Sequence, residues 1–263
     1  MRLSVCTFHT CLRTKRDPES GPQEEDGAYS ISFLNVRFRV LGPAAKRRFK
    51  DDVYCALTRV PAAISNPHRL ELLELLAQRP RTVADIASET ALSIANASQH
   101  LQVLAKCGLV SVDRRGTYAF YRVADSNVYR LLQNLREVAE QNDSRLAATV
   151  QKHLGERDAG VTDYDIVHAL IADPHVALLD TRVAEEYAAG HLPRAVNTPL
   201  AELKSGKVTL PKSKRYVAYC RGPYCTFADE AVAILRERGF DATRIAIGPI
   251  EWEAAGEELS RAG

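Results

Sequence analysis

The stretch Tyr216-Val217-Ala218-Tyr219-Cys220-Arg221-Gly222-Pro223-Tyr224-Cys225-Thr226 constrains this chain more than any other. Its β-branched and aromatic start predicts a buried strand that stops at a cysteine. Gly222 and Pro223 force a tight turn, and residues 227–235 carry apolar side chains at helical spacing. A cysteine between a strand end and a helix N-terminus meets unpaired backbone N–H groups and the positive end of the helix dipole. With Arg221 next to it, Cys220 is expected to favour thiolate and to be reactive.

The same loop, taken with the run Leu178-Leu179-Asp180-Thr181-Arg182 through Gly190-His191-Leu192-Pro193 and with Gly248-Pro249-Ile250-Glu251-Trp252, resembles the rhodanese domain over residues 160–258. That resemblance implies a persulfide sulfur carried on Cys220, cradled by loop N–H groups and passed to a nucleophile. It places Cys220, Arg221, Gly222, Tyr224, Cys225 and Thr226 in the site, with Asp180 and Arg182 as a buried ion pair behind the loop. His191 and Trp252 read as structural. Three positions depart from the family pattern: Arg194 and Pro249 stand where glycines are usual, and Cys225 where many members have arginine. The last leaves substrate preference open.

Other chemistries of the loop separate on residue type. A cysteine phosphatase needs an arginine six residues after its nucleophile to clamp phosphate oxygens bidentately; here Thr226 stands there. A packing role for both cysteines, a Cys220–Cys225 disulfide, and resolution of an oxidised Cys220 by Cys225 remain alternatives.

With 263 residues the chain has room for two domains, each with its own core. A formal net charge of +2 does not announce a nucleic-acid binder, so any basic surface must be local. The six cysteines lack the spacing of a disulfide framework or a structural zinc site, and no metal is expected. No apolar run reaches the ~18–20 residues of a membrane span, and the polar N-terminus is unlike a secretory signal. The expectation is a cytoplasmic protein without membrane partners.

Residues 13–27 are charged and polar with prolines and glycines, and the stretch 30–41 has the pattern of a short strand without a partner; the whole of 1–45 is expected to be disordered. From about residue 46 the periodicity turns helical. Asn66 and Pro67 start a helix with Leu70, Leu72, Leu73, Leu75 and Leu76; Thr82 caps a short one; Ser93 caps another bearing Ala97, Leu101 and Leu104 on one face. Two strand-like segments joined at Arg114-Arg115-Gly116 follow.

That succession has the outline of a helix-turn-helix with a wing. Through Asn66-Pro67-His68-Arg69-Leu70, Ser98-Gln99-His100-Leu101-Gln102-Val103-Leu104 and the 114–122 hairpin it resembles the ArsR/SmtB winged-helix repressors over residues 46–125. A recognition helix offers polar side chains to the major groove, and Ser93, Asn96, Ser98, Gln99, His100 and Gln102 lie off its apolar face. Asn96 and Gln99 suit bidentate contacts to adenine. Arg114 and Arg115 suit phosphates or a minor groove. Metal-sensing members carry cysteines in the first helix of the motif; residues 83–89 have none. Cys55 and Cys107 read as small buried residues.

Residues 126–154 predict a long amphipathic helix without an obvious partner. We expect it to pair with the first helix across a two-fold axis, as the resemblance also implies, so that a homodimer addresses two half-sites of a double-stranded operator. Residues 46–154 form the expected winged helix-turn-helix domain, 155–160 a linker, and 161–263 a rhodanese-like α/β domain with a small parallel sheet. Together they suggest a DNA-binding transcriptional regulator that carries sulfur on Cys220 and senses reactive sulfur or oxidant. No cofactor is needed beyond that sulfane sulfur. The alternative is a sulfurtransferase, fed by a small donor such as thiosulfate or a persulfide, tethered to a dimeric DNA-binding module.

Overall fold

The computed structural model describes residues 29–33, 36–154 and 163–261. The chain forms two compact units, 1–64 and 65–263. The expected linker at 155–160 lies outside the described residues.

In the first unit, β1 (Tyr29–Phe33) and β2 (Val36–Val40) pair antiparallel, Tyr29 opposite Val40. Part of the segment expected to be disordered is therefore a hairpin: the stretch read as one partnerless strand is two short strands that pair with each other. Helices α1 (Pro43–Leu57) and α2 (Arg59–Ile64) complete the unit. Pro43 opens α1 at a position where its missing N–H costs nothing. Phe49, Tyr54 and Leu57 of α1 are exposed.

The second unit begins with α3 (Pro67–Gln78), whose cap Asn66 accepts a hydrogen bond from the Arg69 N–H at 3.2 Å. Thr82 and Asp85 form a reciprocal capping box on α4 (Val83–Glu89). Ser93 caps α5 (Ile94–Lys106). Ala97, Leu101 and Leu104 of α5 are fully buried, as their spacing requires. The wing is β3 (Val110–Arg115) against β4 (Tyr118–Val123), Arg115 opposite Tyr118. Its turn is Gly116-Thr117, with Gly116 at φ 59, so the two arginines end a strand rather than form the turn. The expected single helix over 126–154 is two, α6 (Ser126–Asn142) and α7 (Ser144–Leu154), broken at Asp143.

After α8 (Tyr164–Ala172) the chain lays down β5 (Val176–Asp180), α9 (Ala184–Ala189), β6 (Val196–Asn197), α10 (Leu200–Lys204), β7 (Arg215–Tyr219), α11 (Phe227–Glu237), β8 (Ala242–Arg244) and α12 (Pro249–Ala254). The four strands form one parallel sheet in the order β6-β5-β7-β8. Alternation along β7 divides the core. Tyr216, Ala218 and Cys220 face the layer holding Leu203 and Leu235, while Val217 and Tyr219 face Val167 and Trp252. No described helix is long and apolar enough to cross a membrane.

Candidate functional site

Cys220 follows the last residue of β7 and is 3 % exposed. Its Sγ lies 3.9 Å from the Gly222 carbonyl oxygen. Burial pushes its thiol well above the ordinary range, and so does its bond to Cys225. Cys225, one residue before the cap of α11, is held down to about 7 by the Cys220 thiol, against burial, and by backbone N–H groups of Phe227 and Arg221 and the Arg221 charge. The sequence points to Cys220 as the thiolate; in the structure burial opposes the charge there, while Cys225 is the thiol held low. Each sulfur meets one N–H of α11 and one of the loop, Ala228 and Gly222 for Cys220 and Phe227 and Arg221 for Cys225; Cys220 is the deeper and drier, and Cys225 has the Arg221 charge.

Arg221 does not lie against Cys220. Its Nε donates to both oxygens of Glu186 at 3.0 Å, and its Nη2 approaches Glu89 of α4 at 3.2 Å. Fully buried Glu186 also pairs with fully buried Arg81, which bonds Glu89 at 2.9 Å. Arg81, Arg221, Glu89 and Glu186 therefore alternate between α4, α9, the α3–α4 connection and the cysteine loop, with Arg79 adding a third arginine on Glu89 at 3.2 Å. Such charges are tolerated away from water because each of the four has at least two partners of opposite sign.

Asp180 and Arg182 form the expected buried ion pair, Nη2 to Oδ2 at 2.6 Å. The Tyr219 hydroxyl donates to the same Asp180 oxygen at 2.8 Å. Arg182 reaches the loop through Gln78, the last residue of α3. It donates to Gln78 Oε1 at 2.9 Å, while Gln78 Nε2 donates to the Arg221 carbonyl at 3.1 Å.

On the other side of the loop Tyr224 donates to Glu140 of α6 at 2.6 Å, and the Arg136 guanidinium sits 5.2 Å from its ring. Buried Glu251 accepts from the Tyr129 hydroxyl and from the Gly248 N–H, the latter at 3.0 Å. Burial raises its carboxyl above the usual range. A Cβ on Gly248 would fall 2.7 Å from the Cys220 carbonyl, and one on Gly222 2.9 Å from a Glu251 oxygen, so both positions need glycine. Thr226 bonds Glu230 at 3.1 Å instead of capping α11 with its side chain. These groups enclose a cavity of about 180 Å³, walled by Glu74, Gln78, Tyr129 and Arg136 of the helical half and by Gly222, Tyr224 and Cys225 of the loop.

Of the DNA-side residues, Ser93, Asn96, Gln99 and Gln102 are exposed along α5, and Ser98 is half-buried. His100 is half-buried with its ring 5.7 Å from that of His68, which turns it toward α3. Arg114 and Arg115 are exposed, Arg115 braced by Asp113 at 2.8 Å. Cys55 and Cys107 are half-buried rather than buried.

Sequence reading missed Gln78, Arg81, Glu89, Tyr129 and Arg136, and gave no role to Glu186 and Glu251, which stand within the motifs of the rhodanese resemblance. A signal existed for Gln78, which lies three residues after buried Leu75, on the apolar face of its helix. It also missed Ile94, exposed at the start of α5.

Comparison with known proteins agrees with both halves. The profile of bacterial regulatory proteins of the arsR family matches residues 66–112, and the rhodanese-like domain matches 163–255. HTH-type transcriptional regulator Rv0324 of Mycobacterium tuberculosis is 39 % identical over 200 residues, 76 % of this chain and 88 % of that protein. "Putative sulfurtransferase YtwF" of Bacillus subtilis is 33 % identical over 82 residues, 31 % of this chain and 78 % of that one. Among solved structures, the homodimeric winged helix-turn-helix fragment of Mb0332 from Mycobacterium bovis is 38 % identical, covers 36 % of this chain and 89 % of its own, and has a TM-score of 0.35. The chain belongs to the arsR family of bacterial transcriptional regulators, in a form that carries a rhodanese-like domain after its winged helix-turn-helix.

Proposed function

We propose that this regulator reads reactive sulfur. A sulfane sulfur carried on Cys220 alters the 220–226 loop, and the change reaches the DNA-binding half. The carrying observation is Arg81. Its side chain pairs with Glu186, which grips Arg221 of the loop. Its backbone exchanges hydrogen bonds of 2.9 and 2.8 Å with Tyr121 of the wing strand β4. A side chain and a strand that share one residue supply the physical path a sensor needs; the ligand's differential affinity for two arrangements supplies the energy.

In this reading the Cys225 thiolate accepts the Cys220 proton as Cys220 attacks the outer sulfur of a small persulfide or polysulfide. A new S–S bond forms on Cys220, and the donor leaves as its thiolate. The protein acts in the cytoplasm as a homodimer on an operator. The exposed apolar residues of α1 and, separately, Leu135 and Val138 of α6 supply surface for the partner copy. Likeness to a protein named as a sulfurtransferase favours a second reading, an enzyme tethered to the repressor.

Fluorescence anisotropy on the upstream DNA, with and without polysulfide, for wild type and Cys220→Ser separates them. Sensing requires that polysulfide shift the wild type and leave the variant unmoved. Equal binding by both with no response favours the tethered enzyme, and no DNA binding at all ends the regulator reading.

A further inference from the structure

The cysteine loop is not held by the rhodanese-like half alone. Of the groups that fix the carbonyl of Arg221, the residue after Cys220, one comes from the other half of the unit: the Gln78 side-chain amide, 3.1 Å away. Gln78 is 6 % exposed. Its second bond, from Arg182 at 2.9 Å, ties it to the Asp180–Arg182–Tyr219 network beneath the loop. An amide is the side chain that can serve both ends, because it offers an acceptor to a guanidinium and a donor to a carbonyl at once. Leucine could serve neither. Glutamate could serve the arginine, but would set a carboxylate against the Arg221 carbonyl oxygen. Gln78 also forms part of the cavity wall that Cys225 shares.

We propose that Gln78 is a positioning residue for the sulfur loop, so that the winged-helix half completes the sulfur site as well as responding to it. This deepens the sulfur reading and rests on it for its chemistry. The Arg221 carbonyl shares its peptide group with the Gly222 N–H, a donor to the Cys220 sulfur, and the adjoining peptide carries the Arg221 N–H, a donor to the Cys225 sulfur. Gln78 therefore acts on Cys220 through one peptide group and on Cys225 through the next. Displacing the loop would remove the constraint at the C-terminal end of α3 at the same time.

The test is peptide-resolved alkylation of Cys220 and Cys225 by iodoacetamide across pH, in the full chain, for wild type, Gln78→Leu and Gln78→Glu. Cys107, a thiol of the helical half away from the loop, serves as the internal control. Loss of one buried hydrogen bond releases the loop locally. Both variants should then alkylate Cys220 roughly tenfold faster, move the pH midpoint of Cys225 upward, and leave Cys107 at the wild-type rate. Wild-type profiles in both variants overturn the proposal. So does a normal profile in Gln78→Glu alone, which would confine Gln78 to supporting Arg182, and so does acceleration that extends equally to Cys107. If Gln78→Leu does not fold, Gln78→Glu, which keeps the size and the Arg182 partner, decides. The assay uses neither sulfur donor nor DNA, so failure of polysulfide sensing and failure of this proposal are read separately.

Discussion

Cys220 and Cys225 share a loop and divide its labour. Cys220 has the protected position at the end of β7. Cys225 accepts from the Cys220 thiol and from two backbone N–H groups and lies near the Arg221 guanidinium, which hold it at about 7. Alkylation of Cys225 should therefore turn on near pH 7, against an ordinary thiol pKa of about 8.5, while Cys220 stays slow until far higher pH. Mass spectrometry of the two peptides checks this, and a single shared midpoint at the ordinary value would contradict it. The linkage has a sign. Because its folded pKa is depressed, Cys225 contributes stability that is present above the ordinary thiol pKa and declines as pH falls through about 7. Gly248→Ala would drive a methyl group into the Cys220 and Arg221 carbonyls, both backbone and slow to yield. We expect about 1–3 kcal/mol of destabilisation, measured by urea unfolding, together with altered thiol reactivity.

At the scale of elements, the sheet of the second unit packs on its own helices through apolar side chains, whereas the helical half meets the cysteine loop through paired charges. Glu186 is the clearest case, since it lies between Arg81 and Arg221 with no exposure of its own. Glu186→Gln leaves both arginines short of a counter-charge and should cost on the order of 3 kcal/mol. A urea midpoint close to wild type would show that the cluster relaxes into water instead. The wing is the opposite kind of element. Arg114 is exposed at its end, so Arg114→Ala should leave stability unchanged and weaken operator binding. The slope of log affinity against log salt should flatten by about 0.9 for the phosphate contact removed.

For the whole molecule, an interface of ion pairs and amide bonds has a property that an apolar one lacks. Its partly exposed members, Glu89 and Arg221, can exchange each other for water at small cost while buried Arg81 and Glu186 stay paired, so two arrangements that differ in the outer pair can lie close in free energy. If loop and DNA face share one equilibrium, linkage is reciprocal. Saturating operator DNA should shift the pH midpoint of Cys225 by the logarithm of the factor by which ionising Cys225 changes operator affinity. A midpoint that DNA leaves untouched, while operator affinity still changes across it, would place the coupling elsewhere.

Both halves, their order and their motifs were legible in the chain because they depend on local rules. Helix spacing around Leu101 and Leu104, the Asn66 and Ser93 caps, and a strand that ends at a cysteine before Gly-Pro are written within a few residues of one another. The Asp180–Arg182 pair was legible for the same reason, two residues apart at a strand end. The titration order of the two thiols was not, because it depends on how deeply each is buried and which N–H groups reach it. Nor were Gln78, Glu89 and Glu186, whose partners lie across the fold; Gln78 and Arg182 are separated by 104 positions. Sequence alone determined that this protein has a winged helix and, in a rhodanese-like half, a cysteine loop. Only the tertiary structure decided that the two share residues, since a charge or an amide acquires its partner from packing and not from spacing.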